Sequence, residues 1–218
     1  PTVIPERKEA AEVKIFLYEY DKDTCINKSL KNVEESFPHL HSPATTWINM
    51  DGIKKSEIEK IGNHFGIHQL ILEDILSINQ RPKTDEINGL LFCVLNMLYF
   101  NEKDSSVETE QISIVLGRNF VISFQEDESR DVFNVLRDKI KLNNSKVRQN
   151  GADFLFYNMI DLIVDHYYLV MEKLGDRIEL AQDFAALQAE HRAADQDVLA
   201  AGQLHVEGRA ERQHRRDA

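Results

Sequence analysis

The chain has few cysteines, glycines and prolines: its 218 residues include 2 Cys, 9 Gly and 5 Pro. Cys25 and Cys93 show neither the C-x-x-C spacing of a zinc site nor the density of a disulfide framework, so we expect two ordinary thiols in a reducing compartment. The low glycine and proline content argues against a disordered or fibrous chain. With 42% apolar and 29% charged residues, the composition is that of a folded protein with a sizeable core.

Long hydrophobic runs are also missing. The longest apolar stretch, residues 89–100, is interrupted by Asn96, and a membrane-spanning helix needs roughly 20 apolar residues. We therefore predict that this stretch is a buried strand. Residues 1–12 are polar and charged, without the apolar segment of a signal peptide. The chain as given is expected to be soluble.

Catalytic signatures are absent as well. The sequence has no phosphate-binding glycine loop, no G-x-S-x-G and no H-E-x-x-H. His64 and His68 have the i, i+4 spacing of a helical metal site. Gly66 lies between them, however, which favours two surface or capping histidines at a helix junction. We expect the protein not to be an enzyme.

Positive charge is scarce relative to negative charge, and the formal net charge is −11. A chain of this charge lacks the basic surface that binds phosphate backbones, so we expect no nucleic-acid partner. It suits cations or basic partners, although the same excess of acids also serves solubility.

Hydrophobic periodicity predicts the order of the elements. Strands are expected at residues 13–20 and 45–52, and three further strands at 87–100, 110–117 and 119–125. Helices are expected at residues 54–66, 68–80 and 129–143, the last with Val132, Val135, Leu136 and Ile140 facing inward. This order predicts an α/β fold, an α/β/α sandwich around a mixed sheet in residues 1–150, followed by a long stalk-like helix.

The long helix is expected to begin after Gly151 and to keep one apolar stripe as far as residue 180. Composition changes abruptly near residue 181: the last 38 residues contain ten alanines and no Lys, Ile or Asn. Two interpretations of residues 181–218 stay open. One is a genuine Ala/Arg/Gln-rich helical extension with coiled-coil-like spacing, and the other is a segment that is not native to the protein. The apolar positions that support the first are Phe184, Leu187, Ala194, Val198 and Ala201.

A row of acids accompanies this stripe on the long helix. The offsets of 4, 7, 4, 3 and 4 residues place these acids along one side of the helix. A solvated helix face is one explanation, and neutralisation by a hard divalent cation is the other. Magnesium takes oxygen ligands and needs only one or two carboxylates from the protein. The acids are Asp161, Asp165, Glu172, Asp176, Glu179 and Asp183.

A second pair of acids, Glu73 and Asp74, lies within "HQLILEDILSINQRPK", residues 68–83. Apolar residues cover most of this predicted helix, so the two carboxylates flank its buried face. Burying a carboxylate without a partner is costly. The pair therefore either meets a base, with Arg81 and Lys83 as candidates, or contributes to a metal site.

Residues 68–100 resemble the signature of the cytoplasmic domain of CorA-type magnesium transporters. That family has H-P-L-x-L-E-D-I-L followed by Q-R-P-K and an apolar strand, and this chain departs from it at Gln69, where proline is usual. Residues 162–183 are similar to the family's helix that leads to the stalk. The matching positions are Asp161, immediately before this range, and, within it, Asp165, Tyr167, Glu172, Asp176, Ile178 and Glu179.

The resemblance implies a cytoplasmic regulatory domain of a homopentameric divalent-cation channel on the inner side of the cell membrane. Magnesium bound between neighbouring subunits would control gating, and the membrane would be crossed by segments that this sequence lacks. Glu73 and Asp74 are the first candidates for metal ligands, with Asp161 and Asp165 as the second. Mg²⁺ is the expected ion, with Co²⁺, Zn²⁺ and Ca²⁺ as alternatives.

Two alternative functions stay open: a related zinc transporter, and a non-transporting module whose long helix docks on a partner. A metal-dependent hydrolase that uses the same carboxylates is a weaker alternative, because no nucleophile or base accompanies them.

Overall fold

The computed structural model describes residues 9–78 and 80–214, with side chains described throughout these ranges except at residue 128 and residues 189–214. The strands are β1 (Lys14–Tyr20), β2 (Cys25–Leu30), β3 (Thr45–Asp51), β4 (Lys83–Ile87), β5 (Leu90–Asn101), β6 (Ser106–Leu116) and β7 (Phe120–Gln125). The α-helices are α1 (Lys55–Phe65), α2 (Gln69–Leu76), α3 (Asn134–Lys141), α4 (Lys146–Gln149) and α5 (Ala152–His214). Two 3-10 helices span Val33–His41 and Glu128–Arg130.

The strands form one mixed sheet in the order β2-β1-β3-β7-β6-β5-β4. Only the central pair β3 and β7 is parallel among the described strands, with Ile48 opposite Ile122. One face of the sheet packs against the first 3-10 helix, α1 and α2, and the other face packs against α3, α4 and the beginning of α5. This arrangement confirms the predicted α/β/α sandwich and the long helix that follows it.

The edges of the sheet differ from the prediction. Strand β2 lies in a segment for which the sequence predicts no strand: its four central residues are exposed and show no apolar alternation. The predicted strand 87–100 is observed as β5, which begins at Leu90, whereas β4 before it was not predicted. Asn88 and Gly89, with φ of 55° and 76°, join β4 and β5 in a hairpin. Asn-Gly is typical of two-residue hairpin turns, since both positions need positive φ.

Two helix predictions also require correction. Helix α2 ends at Leu76 rather than near Gln80. Both the hydroxyl and the backbone N–H of Ser77 donate to the Glu73 carbonyl oxygen, and Ser77 itself adopts an extended conformation that ends the helix. Helix α3 begins at Asn134, and its register leaves Val135 about half exposed. Arg137 takes an inward position with Leu136 and Ile140.

The chain divides into two compact units, Pro1–Val170 and Met171–Ala218. In the first, α5 buries Leu155, Met159 and Ile163. In the second, Phe184 and Leu187 are exposed. The predicted coiled-coil positions 194, 198 and 201 lie outside the part of the chain whose side chains are described. Among the described residues, every helix is too short or too polar to cross a membrane.

Candidate metal site

Helix α2 is built to dock one face on the sheet. Ile71, Leu72 and Ile75 are buried at the i, i+1, i+4 spacing of one helix side. The His68 imidazole caps the helix by accepting a hydrogen bond from the Leu70 N–H at 3.2 Å. Because the apolar residues determine which side faces inward, Glu73 is placed on the exposed side and Asp74 at the margin.

The two acids on α2 have different surroundings. Glu73 is exposed, and its Oε1 accepts a long 3.5 Å hydrogen bond from Gln69. The Asp74 side chain is 18% exposed, and its Oδ2 lies 2.6 Å from Lys83 Nζ. Lys83 also contacts Asp85 at 3.2 Å. The hydrogen bond to Asp74 is the main reason why the pKa of Lys83 is raised. Of the two bases considered for this acid pair, Lys83 is the one that binds.

The second pair, Asp161 and Asp165, lies on α5. Ile163 between them is fully buried, whereas both aspartates are exposed, so they point away from the packed side of the helix. Within the described part of the chain, neither carboxylate has an ion-pair or hydrogen-bond partner. All six acids of the predicted row are exposed.

The fold keeps the two acid pairs apart within one chain. Helix α2 packs on one face of the sheet and the first turns of α5 pack on the other. In the described residues, no group of three or more His, Cys, Asp or Glu side chains is arranged to hold a metal ion. Any metal site that uses both pairs therefore requires acids from more than one copy of the chain.

The histidines with helical spacing have separate contacts. His64 stacks on Phe37 with ring centroids 3.8 Å apart, and its Nε2 lies 3.2 Å from the Phe37 carbonyl oxygen. His68 caps α2. The Gly66 C-cap, with φ of 69°, turns the chain between them.

Sequence reasoning missed two buried carboxylates. Glu110 accepts hydrogen bonds from the backbone N–H groups of Glu126 and Asp127, and burial raises its pKa. Asp51 is 3% exposed, and burial raises its pKa to about 6. The available signal for Asp51 was its position at the end of the apolar strand "TTWINMDG", where a charged residue follows a run of core residues.

Comparison with known proteins identifies the family. The sequence model of the family described as "CorA-like Mg2+ transporter protein" matches residues 43–206. The "Cobalt/magnesium transport protein CorA" of Thermotoga maritima is 34% identical over 183 residues, which are 84% of this chain and 52% of that protein. The "Magnesium transporter ALR2" of Saccharomyces cerevisiae is 29% identical over 138 residues, 60% of this chain and 15% of that protein.

Solved structures agree in fold. The soluble domain of CorA from Methanocaldococcus jannaschii superposes with a TM-score of 0.54 at 18% identity, covering 81% of this chain and 65% of that one. The complete CorA magnesium transporter of the same organism gives the same TM-score, covering 80% of this chain and 51% of that one. The chain thus spans about half the length of the Thermotoga relative. The matched segment includes β3 to β7, helices α1 to α4 and most of α5, and on this basis the chain belongs to the CorA-like Mg²⁺ transporter family.

Proposed function

We propose that this chain is the ion-sensing regulatory part of a divalent-cation transporter and that it has no enzymatic activity. In this proposal Mg²⁺ binds between copies of the chain, and its binding and release control the gating of a homopentameric membrane channel. The carboxylates that bind the ion are those of Glu73 and Asp74 in one copy and those of Asp161 and Asp165 in a neighbouring copy. The sensing part lies on the cytoplasmic side of the membrane, and the membrane segments belong to the longer protein.

The observation that carries this proposal is the separation of the two acid pairs by the sheet. A single chain presents two acidic surfaces that cannot share an ion, whereas two neighbouring chains can bring opposite surfaces together. Mg²⁺ retains several waters and takes one or two carboxylates from the protein, so such an interface can hold it with few direct ligands. The names of the matched relatives, which are magnesium and cobalt transporters, support the choice of ion.

Electrostatics supplies the mechanism. Like-charged carboxylates on facing surfaces repel each other, and a divalent cation between them replaces that repulsion by attraction. A ligand shifts a conformational equilibrium only by its differential affinity for the two states. The ion therefore acts as a sensor if it binds the assembled arrangement better than the separated one. A millimolar dissociation constant, which suits free cellular Mg²⁺, corresponds to roughly −4 kcal/mol.

The test is Mg²⁺-dependent association of the chain, measured by sedimentation velocity at constant ionic strength with NaCl in place of MgCl₂ as the reference. We expect Mg²⁺ to increase the sedimentation coefficient. The Asp74→Asn and Asp165→Asn variants should each lose that response. Asp138→Asn, which removes an exposed acid of α3, is the matched control and should keep it.

Mixing the two variants makes the test specific for an interface. In the mixture, the Asp165→Asn chain supplies intact α2 acids and the Asp74→Asn chain supplies intact α5 acids. These two chains together can form a complete interface. The mixture should therefore recover part of the response that both pure variants lack. No Mg²⁺-dependent association of the unmodified chain, or no recovery in the mixture, would contradict an inter-subunit site.

A further inference from the structure

A cleft at the carboxyl ends of the parallel strands β3 and β7 has no part in the proposed metal site. Its volume is about 460 Å³. Ser129 and Asn134 are exposed at its mouth, whereas Asp51 and Arg137 are buried and form its floor. Ligands of open α/β sheets bind at the carboxyl ends of parallel strands, so the position itself is that of a binding site. Phe16, Tyr18 and Asp131 complete the lining.

Asp51 is an incompletely satisfied acid in this floor. Its Oδ1 accepts two hydrogen bonds, from Asn49 Nδ2 at 2.9 Å and from Gln125 Nε2 at 2.8 Å. Its Oδ2 is buried and has no hydrogen-bond partner among the described residues. Leaving a buried charged acceptor unpaired costs more than leaving a neutral one unpaired. Asp51 Oδ2 therefore has an acceptor site that a donor from outside the chain can use.

The guanidinium group in the cleft is not that donor. Arg137 forms an ion pair with Asp131, and its Nη1 donates to Asn134 Oδ1 at 2.9 Å. Its Cζ lies 5.1 Å from the centre of the Trp47 ring and 5.9 Å from that of Tyr18. These contacts hold Arg137 in place. With Asp51 and Asp131 both ionised, the charged lining carries a net −1, which favours a cationic ligand over an anion.

We propose that this cleft binds a small organic cation with a protonated primary amine, whose N–H donates to Asp51 Oδ2. The hydrocarbon part of the ligand lies against Phe16 and Tyr18, and aromatic rings also attract cations. A metal ion fits less well, because Asp131 is already bound by Arg137 and by the Phe133 N–H. Only one carboxylate oxygen then stays free, and metals require several oxygen ligands.

The chain contains its own reporter for this site. Trp47 is the only tryptophan among the 218 residues. Its indole N–H donates to Ser123 Oγ at 2.9 Å, and that hydroxyl donates to Asn49 Oδ1 at 2.7 Å. Asn49 in turn donates to Asp51. A donor bound at Asp51 changes the field along this network, so tryptophan fluorescence should respond.

The experiment is a fluorescence titration of the chain with 1,4-diaminobutane and with ethanolamine, in phosphate buffer at constant ionic strength so that no buffer amine competes. Tetramethylammonium carries the same type of charge without an N–H donor, and MgCl₂ and KCl test metal ions. We expect saturable changes with the primary amines alone. Asp51→Asn should weaken the response at least tenfold, whereas Asp138→Asn, which removes an exposed acid of the same helix as Arg137, should leave it unchanged.

Two further readouts cover the case in which Asp51→Asn alters the fold. Cooperative urea unfolding checks that the variant is folded, and a titration of the unmodified chain at pH 5 and pH 8 tests the acid directly. Amine binding should be weaker at pH 5, where Asp51, with a pKa of about 6, is mostly protonated. An absent response to amines overturns the proposal. So does an equal response to tetramethylammonium or Mg²⁺, or a response that is the same at both pH values.

Discussion

Lys83 Nζ lies 2.6 Å from Asp74 Oδ2, so the first residue of β4 pairs with an acid that the sequence presents as a metal ligand. Lys83 is charged at neutral pH, and its hydrogen bond to Asp74 raises its pKa further. A cation at Asp74 therefore competes with a lysine that is already there. In the proposed sensor, this competition would weaken Mg²⁺ binding at Asp74 and keep the ion exchangeable.

Removing the competing lysine should strengthen the response to Mg²⁺. We expect Lys83→Met to lower the Mg²⁺ concentration at half-maximal association roughly two- to fivefold, the factor for an exposed ion pair worth about 0.5–1 kcal/mol. Sedimentation velocity across a MgCl₂ series measures it. Lys28→Met, which removes an exposed lysine of β2, is the control. A higher Mg²⁺ requirement in Lys83→Met would show that the lysine supports the site.

The buried carboxylate of Asp51 should make stability depend on pH. Its pKa in the folded chain is about 6, compared with 3.8 ordinarily. Between these values the folded state binds a proton that the unfolded state does not, so this group's contribution to stability falls as pH rises through about 6. Asp51→Asn should therefore raise the free energy of unfolding by about 2–3 kcal/mol at pH 8 and by little near pH 4.

Urea denaturation of both proteins between pH 4 and pH 8, in buffers without primary amines, measures this difference. Asp138→Asn serves again as the control for the loss of one negative charge. A destabilised Asp51→Asn variant at pH 8 would mean that the carboxylate has a stabilising partner.

Arg148 should be needed for stability because its hydrogen bonds satisfy carbonyl and amide oxygens of several segments. It is 4% exposed and joins α4 to two other segments: its Nε donates to the Asp21 carbonyl at 2.8 Å and its Nη1 to Asn143 Oδ1 at 2.9 Å. Lysine cannot reproduce this planar set of donors. We expect Arg148→Lys to reduce the free energy of unfolding by roughly 2–4 kcal/mol. Arg118→Lys on the exposed β6–β7 turn should change it by less than about 0.5 kcal/mol.

The position of α2 should depend on Gly62 of α1. A Cβ at this position would lie 2.5 Å from Leu72 Cδ2, so the two helices approach closely only because no side chain intervenes. Gly62→Ala should destabilise the chain by about 1–3 kcal/mol despite the better helix propensity of alanine. Gly175→Ala on α5 is the matched control: its Cβ would meet nothing within 4 Å, so it should be neutral or stabilising.

A double variant tests whether this contact is the cause. If the clash with Leu72 destabilises Gly62→Ala, then Gly62→Ala combined with Leu72→Ala should cost less than the sum of the two single changes. Additive effects in urea denaturation would refute that explanation. Because α2 carries Glu73 and Asp74, Gly62→Ala should also weaken the Mg²⁺ response.

Local patterns determined much of the fold. The central strands β3 and β7 are buried on both faces. Their β-branched and aromatic residues identify them as strands in the sequence. The edge strand β2 was not predicted, because its four central residues are all exposed and therefore show no alternation of apolar and polar residues. Of the four residues predicted to face inward on α3, Val135 was misplaced, because Arg137 is buried there instead. Asp131, Trp47 and Tyr18 contact its guanidinium group, and these partners are not visible in the local pattern.

For the site, the sequence by itself determined the acid pairs, the family pattern that contains them and the α/β class, because helix periodicity and a contiguous motif are local properties. Tertiary structure alone decided that Lys83 pairs with Asp74 and that the sheet lies between Asp74 and Asp165. It also decided that Asp51 keeps one oxygen unpaired in the floor of a cleft. These relationships depend on how the elements pack in three dimensions, and the hydrophobic periodicity of a single helix or strand does not show which side chains come into contact.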